Sequence, residues 1–176
     1  MSIDEIKKLR ASTSLGIGEC KKALTEAKGD FDKALVILKQ RGITIINKKK
    51  DRQTSQGVIE AYVHFGGNLG VLVEVNCETD FVARTGIFKK FAKDVAMHIA
   101  AVAPKYISQE NIPQEELEEI SDRDEYIKEN CLLEQYFVKD NSQTISDYLK
   151  QIIAQTGENV IIKRFVRFSL GEKDET

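Results

Sequence analysis

The chain has 176 residues, 31% of them charged and 41% hydrophobic, with a formal net charge of −2. That length can bury a sizeable core and suits one domain plus a small satellite better than two full domains. No apolar run approaches the roughly 20 residues of a membrane helix, and the N-terminus, Met1-Ser2-Ile3-Asp4-Glu5-Ile6, has neither an apolar leader nor an Arg/Ser-rich presequence. Cys20, Cys77 and Cys131 are odd in number and form no C-x-x-C pair, which points to free thiols rather than a disulfide framework or a zinc site. A cytoplasmic location is expected, with no membrane association. Charge is unevenly spread: residues 1–50 carry 12 Lys/Arg against 6 Asp/Glu, and residues 51–176 carry 14 against 22. A basic head on an acidic body suggests two units with different contacts. The head lacks aromatic interleaving and Arg enrichment, so direct nucleic-acid binding is not expected.

Residues 3–42 read as three short helices. Ile3, Ile6 and Leu9 mark the first. After a break at Ser14-Leu15-Gly16-Ile17-Gly18, Cys20, Ala23, Leu24 and Ala27 mark the second. Gly29 suits the left-handed position past its end. Asp30 can cap a third helix that turns Phe31, Ala34, Leu35 and Leu38 inward. Leu15 and Ile17 either complete this small core or present apolar side chains beside Arg10, Lys21 and Lys22. Residues 44–56, centred on Asn47-Lys48-Lys49-Lys50-Asp51-Arg52, read as a basic linker or solvated helix.

From Gly57 the character changes. Residues 58–65 are strand-like, Gly66-Gly67-Asn68 signals a turn, and residues 70–75 form the return strand of an antiparallel hairpin. The alternation of Val71, Val73 and Val75 predicts a strand buried on one face. It stops at Asn76-Cys77-Glu78-Thr79-Asp80-Phe81, which leaves an acid and a large aromatic at an element boundary. Either Phe81 caps the core and Asp80 solvates a turn, or the pair is presented to a partner. Ile87, Phe88, Phe91, Val95, His98, Ile99 and Val102 then recur at helical spacing up to Pro104. A lone histidine near such a stripe is either a packed core residue or a contact. Pro113 suits the first turn of an acidic helix through Glu115–Glu119, and the segment to Glu134 reads as exposed helix. Residues 132–139 read as a tether or short strand. Ser142 or Thr144 can cap a helix through Ile145, Leu149, Ile152 and Ile153 with Gly157 past its end, and residues 160–168 form the last strand. The fold class expected is α+β, an antiparallel sheet covered by helices on one side. The expected organisation is a helical domain over 1–43, a linker over 44–56, a core over 57–171 and a tail over 172–176.

Catalytic motifs are not in evidence. The sequence contains no G-x-x-x-x-G-K-[ST] loop, H-E-x-x-H pair or G-x-S-x-G elbow. No cation or helix N-terminus is legible beside Cys77 to activate its thiol. The expectation is a binding protein, not an enzyme, with no cofactor and no metal of its own.

Two motifs then resemble the bacterial-type elongation factor Ts family. One is Lys8-Leu9-Arg10, Thr13 and the run Cys20–Asp30; the other is Val71–Arg84, containing Asn76-Cys77-Glu78-Thr79-Asp80-Phe81-Val82-Ala83-Arg84. Ala96-Met97-His98-Ile99-Ala100-Ala101 and Gly157-Glu158-Asn159-Val160 add to it. The resemblance implies a guanine-nucleotide exchange factor for elongation factor Tu that acts on the GDP, GTP and Mg²⁺ bound to that partner. It implies a ubiquitin-associated-like three-helix domain docking through Arg10, Ile17 and Lys21, with His98 a further candidate contact. It also implies that Thr79, Asp80, Phe81 and Val82 intrude near the partner's nucleotide and dislodge its Mg²⁺. The loop departs from the family pattern, with Ile17-Gly18 where adjacent methionines are common. The chain also has material for only one core, and its acidic region 114–131 is compressed, so it is similar to the short form in which two copies pair. A homodimer through the sheet is expected. The competing readings are an RNA- or ribosome-associated protein using the basic head and Lys48-Lys49-Lys50, and a thiol enzyme through Cys77.

Overall fold

The apolar spacing near the N-terminus resolves, in the computed structural model of this chain, into three helices: α1 (Ile3–Thr13), α2 (Ile17–Glu26) and α3 (helical over 31–38). The residues described are 3–13, 16–38, 49 and 51–172; Leu15, residues 44–48 and Lys50 of the expected linker, and residues 173–176 of the expected tail lie outside them. Leu9, Cys20, Ala23, Leu24, Ala34 and Leu38 form the buried core of these helices, with Phe31 and Leu35 partly buried against it. The α2–α3 turn closes by two bonds, Gly29 N–H to the Leu24 carbonyl at 2.9 Å and Lys28 N–H to Thr25 at 3.1 Å. Both Lys28 (φ 53°) and Gly29 (φ 87°) are left-handed, and with Ala27 as the C-cap it is Lys28, not the expected Gly29, that takes the left-handed position required by this two-bond helix terminus. The Asp30 carboxylate accepts from the Lys33 amide at 3.0 Å and caps α3. Ile3 does not join the core. It is 72% exposed, whereas Ile6, one turn on, is partly buried against the core.

The remaining elements are β1 (Gln56–Val63), β2 (Leu69–Cys77), α4 (Asp80–Ala83), α5 (Gly86–Val102), α6 (Gln114–Glu119), α7 (Arg123–Asn130), β3 (Tyr136–Phe137), β4 (Asp140–Thr144), α8 (Ile145–Thr156) and β5 (Val160–Ser169). Strands β1, β2 and β5 form an antiparallel sheet with β2 in the middle, and β3 and β4 form a separate hairpin. The architecture is α+β. Alternation decides the faces: Val71, Val73, Val75 and Cys77 of β2 are buried, and α5 packs against β1 and β2 with Phe88, Phe91, Val95 and Ile99 buried. On the other face, Leu72 is paired with Ala61 and Val166, and Ile59, Val63, Leu72, Val166 and Phe168 are exposed. The first strand ends at Val63. His64 and Phe65, expected in the strand, lie in the turn, and Phe65 is 97% exposed.

The acidic segment is more structured than an exposed helix. Pro113 is the residue before α6 rather than within its first turn, and Asp122 caps α7 by accepting from the Glu125 amide at 3.0 Å. The Glu116 carboxylate accepts hydrogen bonds from the phenols of both Tyr106 and Tyr126. Those two bonds hold it below the usual carboxylate range, and the bond to Glu116 pushes the Tyr126 phenol up. Thr144, not Ser142, caps α8, accepting from the Asp147 amide at 3.1 Å; Ser142 instead donates to Asp140.

The chain divides into two compact units, Met1–Gln53 with Lys150–Asn159, and Thr54–Leu149 with Val160–Thr176. The expected core over 57–171 includes residues 150–159, which here group with Met1–Gln53. Two bonds show why the segment belongs there. The Lys49 ammonium donates to the Gly157 carbonyl, and the Asn159 amide side chain donates to the Arg52 carbonyl at 3.0 Å. A cation at the C-terminus of α8 is favourably placed against the helix dipole. This gives one lysine of the basic run a structural role.

Candidate functional site

Strand β2 ends because Cys77 is its last buried residue and the chain must then turn onto α5. Thr79 adopts extended backbone (φ −125°, ψ 155°) and caps α4, its hydroxyl accepting from the Val82 amide at 3.4 Å. The Cys77 thiol, fully buried, donates to the Thr79 carbonyl at 3.1 Å. Val82 and Ala83 turn inward. With those two committed to the interior, the helix must turn Asp80, Phe81 and Arg84 outward, and Phe81 is 79% exposed. Phe81 does not cap the core. Asp80 does not merely solvate a turn either, because its carboxylate sits 2.8 Å from the Arg84 guanidinium. The guanidinium is largely solvated and the carboxylate close to half exposed, so the pair adds little stability; its effect is to place an acid, a phenyl ring and a guanidinium on one outward face.

Of the expected site residues, the structure brings together Thr79, Asp80, Phe81 and Val82, the first as cap and the last as anchor. Ile17 and Lys21 stand four apart on α2, so they share a face of that helix, and Ile17 is 56% exposed. The expected loop ends at Gly16; Ile17 and Gly18 already belong to the first turn of α2, and Ile17 does not complete the core. Arg10 is exposed in the last turn of α1.

His98 has no surface. It is fully buried on α5, and both ring nitrogens are used. The Val138 amide donates to Nδ1 at 3.3 Å, which leaves Nε2–H to donate to the Gln135 side-chain oxygen at 3.0 Å. Burial lowers its pKa from the usual imidazole value, and the Gln135 bond offsets this only partly. The packed-histidine reading is the one the geometry supports, and a direct contact role has no exposed atom to act through.

Two features of the site were missed in the sequence. Thr85, the cap of α5, follows the motif directly, and a threonine just before an apolar periodic run is a legible start signal. Asp94, 3% exposed, accepts from Lys90 at 2.6 Å, Lys139 at 2.8 Å and the Tyr148 phenol at 3.0 Å. Burial works to raise its pKa, but the three hydrogen bonds outweigh it and hold the carboxyl below the usual range.

Chemically, the corner presents contact groups. Cys77 is enclosed and its thiol is engaged, so no substrate reaches the sulfur. Among the described residues, no group of three or more His, Cys, Asp or Glu side chains converges as a metal site, and no helix is long and apolar enough to cross a membrane.

The family model described as Elongation factor TS matches residues 41–123 and 123–172. Elongation factor Ts of Thermoanaerobacter sp. (strain X514) is 46% identical over 199 aligned positions, covering 100% of this chain and 98% of the relative. That of Methylacidiphilum infernorum (isolate V4) is 47% identical over 196 positions, covering 99% and 98%. That of Thermotoga neapolitana is 42% identical over 194, covering 98% of each. Each alignment is longer than the 176-residue chain, so each opens gaps in this chain opposite segments of the relative. The two family-model segments meet at Arg123, inside the compressed acidic region. With near-full-length matches of this kind and a family model spanning most of the sequence, the chain belongs to the elongation factor Ts family.

Proposed function

We propose that this chain is a guanine-nucleotide exchange factor for elongation factor Tu in translation elongation, working in the cytoplasm. It binds the Tu–GDP complex, dislodges Mg²⁺ and promotes GDP release so that GTP can bind. Family membership supports the partner, and the observation that carries the mechanism is the outward phenyl of Phe81 on a helix whose other side is anchored.

GDP is held mainly through phosphate charge, compensated by Mg²⁺ and by backbone N–H groups. A phenyl ring inserted between partner side chains displaces the elements that hold the metal. Asp80 adds negative charge near a phosphate that has lost its counterion. Removing a few kcal/mol of GDP affinity accelerates release roughly 10²–10³-fold, since about 1.4 kcal/mol is tenfold. The factor works only by preferring the nucleotide-free state, because equal affinity for both states shifts nothing. No bond is made or broken by the factor, so no catalytic group or cofactor of its own is needed. Arg10, Ile17 and Lys21 supply head contacts that raise affinity.

A second copy of the chain is proposed to cover the open sheet face, where Ile59, Val63, Leu72, Val166 and Phe168 form an exposed apolar patch. Sedimentation at micromolar concentration should give the mass of two chains; a single-chain mass sinks the dimer.

Stopped-flow release of a fluorescent GDP from elongation factor Tu tests the function. Strong acceleration by the wild type, largely lost in Phe81→Ala, is expected. Acceleration by neither protein ends the exchange reading, and RNA binding with a steep salt dependence then becomes the alternative.

A further inference from the structure

We infer that Thr85 is a positioning residue for exchange, and that its hydroxyl fixes the angle at which Phe81 meets the partner. The inference builds on the exchange-factor reading above.

Helix α4 has four residues, too few to hold itself, since helix formation needs several turns to offset the cost of the first. Its orientation must come from ties outside it. On the entering side, the Cys77 thiol holds the Thr79 carbonyl. On the leaving side, one hydroxyl makes two bonds: Thr85 Oγ1 donates to the Val82 carbonyl at 2.8 Å and accepts from the Phe88 amide at 3.3 Å. Phe88 is fully buried beneath the sheet, so the second bond fastens the hydroxyl to the rigid start of α5. The first then carries that rigidity back to Val82, the residue after Phe81. The Thr85 amide also donates to the Val82 carbonyl at 3.0 Å, but that bond follows the main chain wherever it turns. Only the side-chain hydroxyl joins the α4 carbonyl to the α5 amide through one atom.

An exposed wedge transmits force only if its base does not yield. If α4 tilts freely, part of the energy of inserting Phe81 goes into reordering α4, and less is left to displace the partner's metal-holding elements. The tie therefore affects the rate within the complex more than the formation of the complex.

Three substitutions separate the donor from the cap. Thr85→Val keeps the branched shape and removes both bonds. Thr85→Asp keeps an acceptor for the Phe88 amide but cannot donate to Val82. Thr85→Ser keeps both. GDP release from elongation factor Tu is measured against factor concentration for each, beside wild type and Phe81→Ala, with amide exchange followed at Ala83 and Arg84. Expected is a maximal release rate reduced roughly fivefold in both Val and Asp variants, with the half-saturating concentration changed less than about twofold, and restored in Ser. Amide exchange at Ala83 and Arg84 should quicken in Val and Asp alone. A wild-type maximal rate in Thr85→Asp would reduce Thr85 to an ordinary helix cap, and a wild-type rate in Thr85→Val or no rescue in Thr85→Ser would also overturn the inference. If Phe81→Ala fails while all Thr85 variants match wild type, the exchange reading stands and this one falls. A silent wild type removes both.

Discussion

The helical head and the corner after β2 present their outward residues by different means. In the head, Arg10, Ile17 and Lys21 stand on helices of 11 and 10 residues, which share a core of Leu9, Leu24 and Leu38 interleaved with Ala23, Ala34 and Cys20. Their backbone is fixed by repeated intrahelical bonds, and no single side chain sets their direction. At the corner, Phe81 stands on a four-residue helix whose direction depends on the cap Thr79, the thiol of Cys77, the hydroxyl of Thr85 and the burial of Val82 and Ala83. A docking surface tolerates small adjustments, because contact area and charge survive them. On the proposed function the corner acts as a wedge, which does not, and the support of Phe81 is spread over its neighbours in the chain. On that reading, contact and support are separate residues in the head, and at the corner they form one short run of sequence.

The largest effect that probes this difference lies behind the corner, at Asp94. This carboxylate joins α5 to Lys139 beyond β3 and to Tyr148 of α8, and Tyr148 in turn meets Phe91 edge-on with ring centroids 5.0 Å apart. Asp94→Asn keeps the shape but removes the charge facing two ammonium groups, and should cost about 2–3 kcal/mol in urea unfolding. The pH dependence carries the same information. Because the folded carboxyl is held below its unfolded value of about 3.9, its contribution is fully present above that pH. It is lost as pH falls through the lower folded value. The wild type should therefore lose stability below about pH 4 more steeply than Asp94→Asn. Equal acid limbs in the two proteins would show that the carboxyl is not stabilised by its lysines. Among the described residues of the head helices no charged side chain is buried, and the ion pairs Lys22–Glu19 at 3.1 Å and Lys33–Asp30 at 3.1 Å lie on exposed helix surfaces.

How much of this could be read from the sequence follows from the range of each interaction. The alternation of Val71, Val73 and Val75, the period of Phe88, Phe91, Val95 and Ile99, and the caps Asp30 and Thr144 are local signals, and the folded chain uses all of them. The exposure of Ile3 and Ile17 was not legible, because a helical stripe shows which residues share a face but not where the neighbouring helix ends. The partners of His98 lie 37 and 40 residues away, and two of the three donors to Asp94 lie 45 and 54 away. No local pattern announces such pairings. Lys90 and Asp94 look from sequence like an ordinary surface pair one helical turn apart. Only the fold reveals that the acid is buried. At the candidate site, the motif itself was legible and the donation from Thr85 was not, since it depends on how closely the end of α4 returns to the start of α5.

The smallest expected effect gives the sharpest test of the comparison, because it asks for a change in function without a change in fold. Ile17 is more than half exposed in the first turn of α2, and its side chain lies outside the buried core. Ile17→Ala should therefore shift unfolding free energy by no more than about 0.5 kcal/mol. Alanine is also the better helix former, which offsets part of any lost contact. If Ile17 is a docking residue, the same substitution should raise the factor concentration needed for half-maximal GDP release from elongation factor Tu several-fold, in line with the roughly 1–2 kcal/mol carried by one partly buried aliphatic contact. The maximal rate should not change, because the proposed mechanism gives the head no part in displacing the metal. That is the inverse of the pattern expected for Thr85. A fall in maximal rate with unchanged half-saturation in Ile17→Ala would mean that the head also drives release, and the division between docking in the head and pushing at the corner would have to be abandoned. A loss of stability well above 0.5 kcal/mol would instead place Ile17 in the support of the bundle and erase the contrast from the other side.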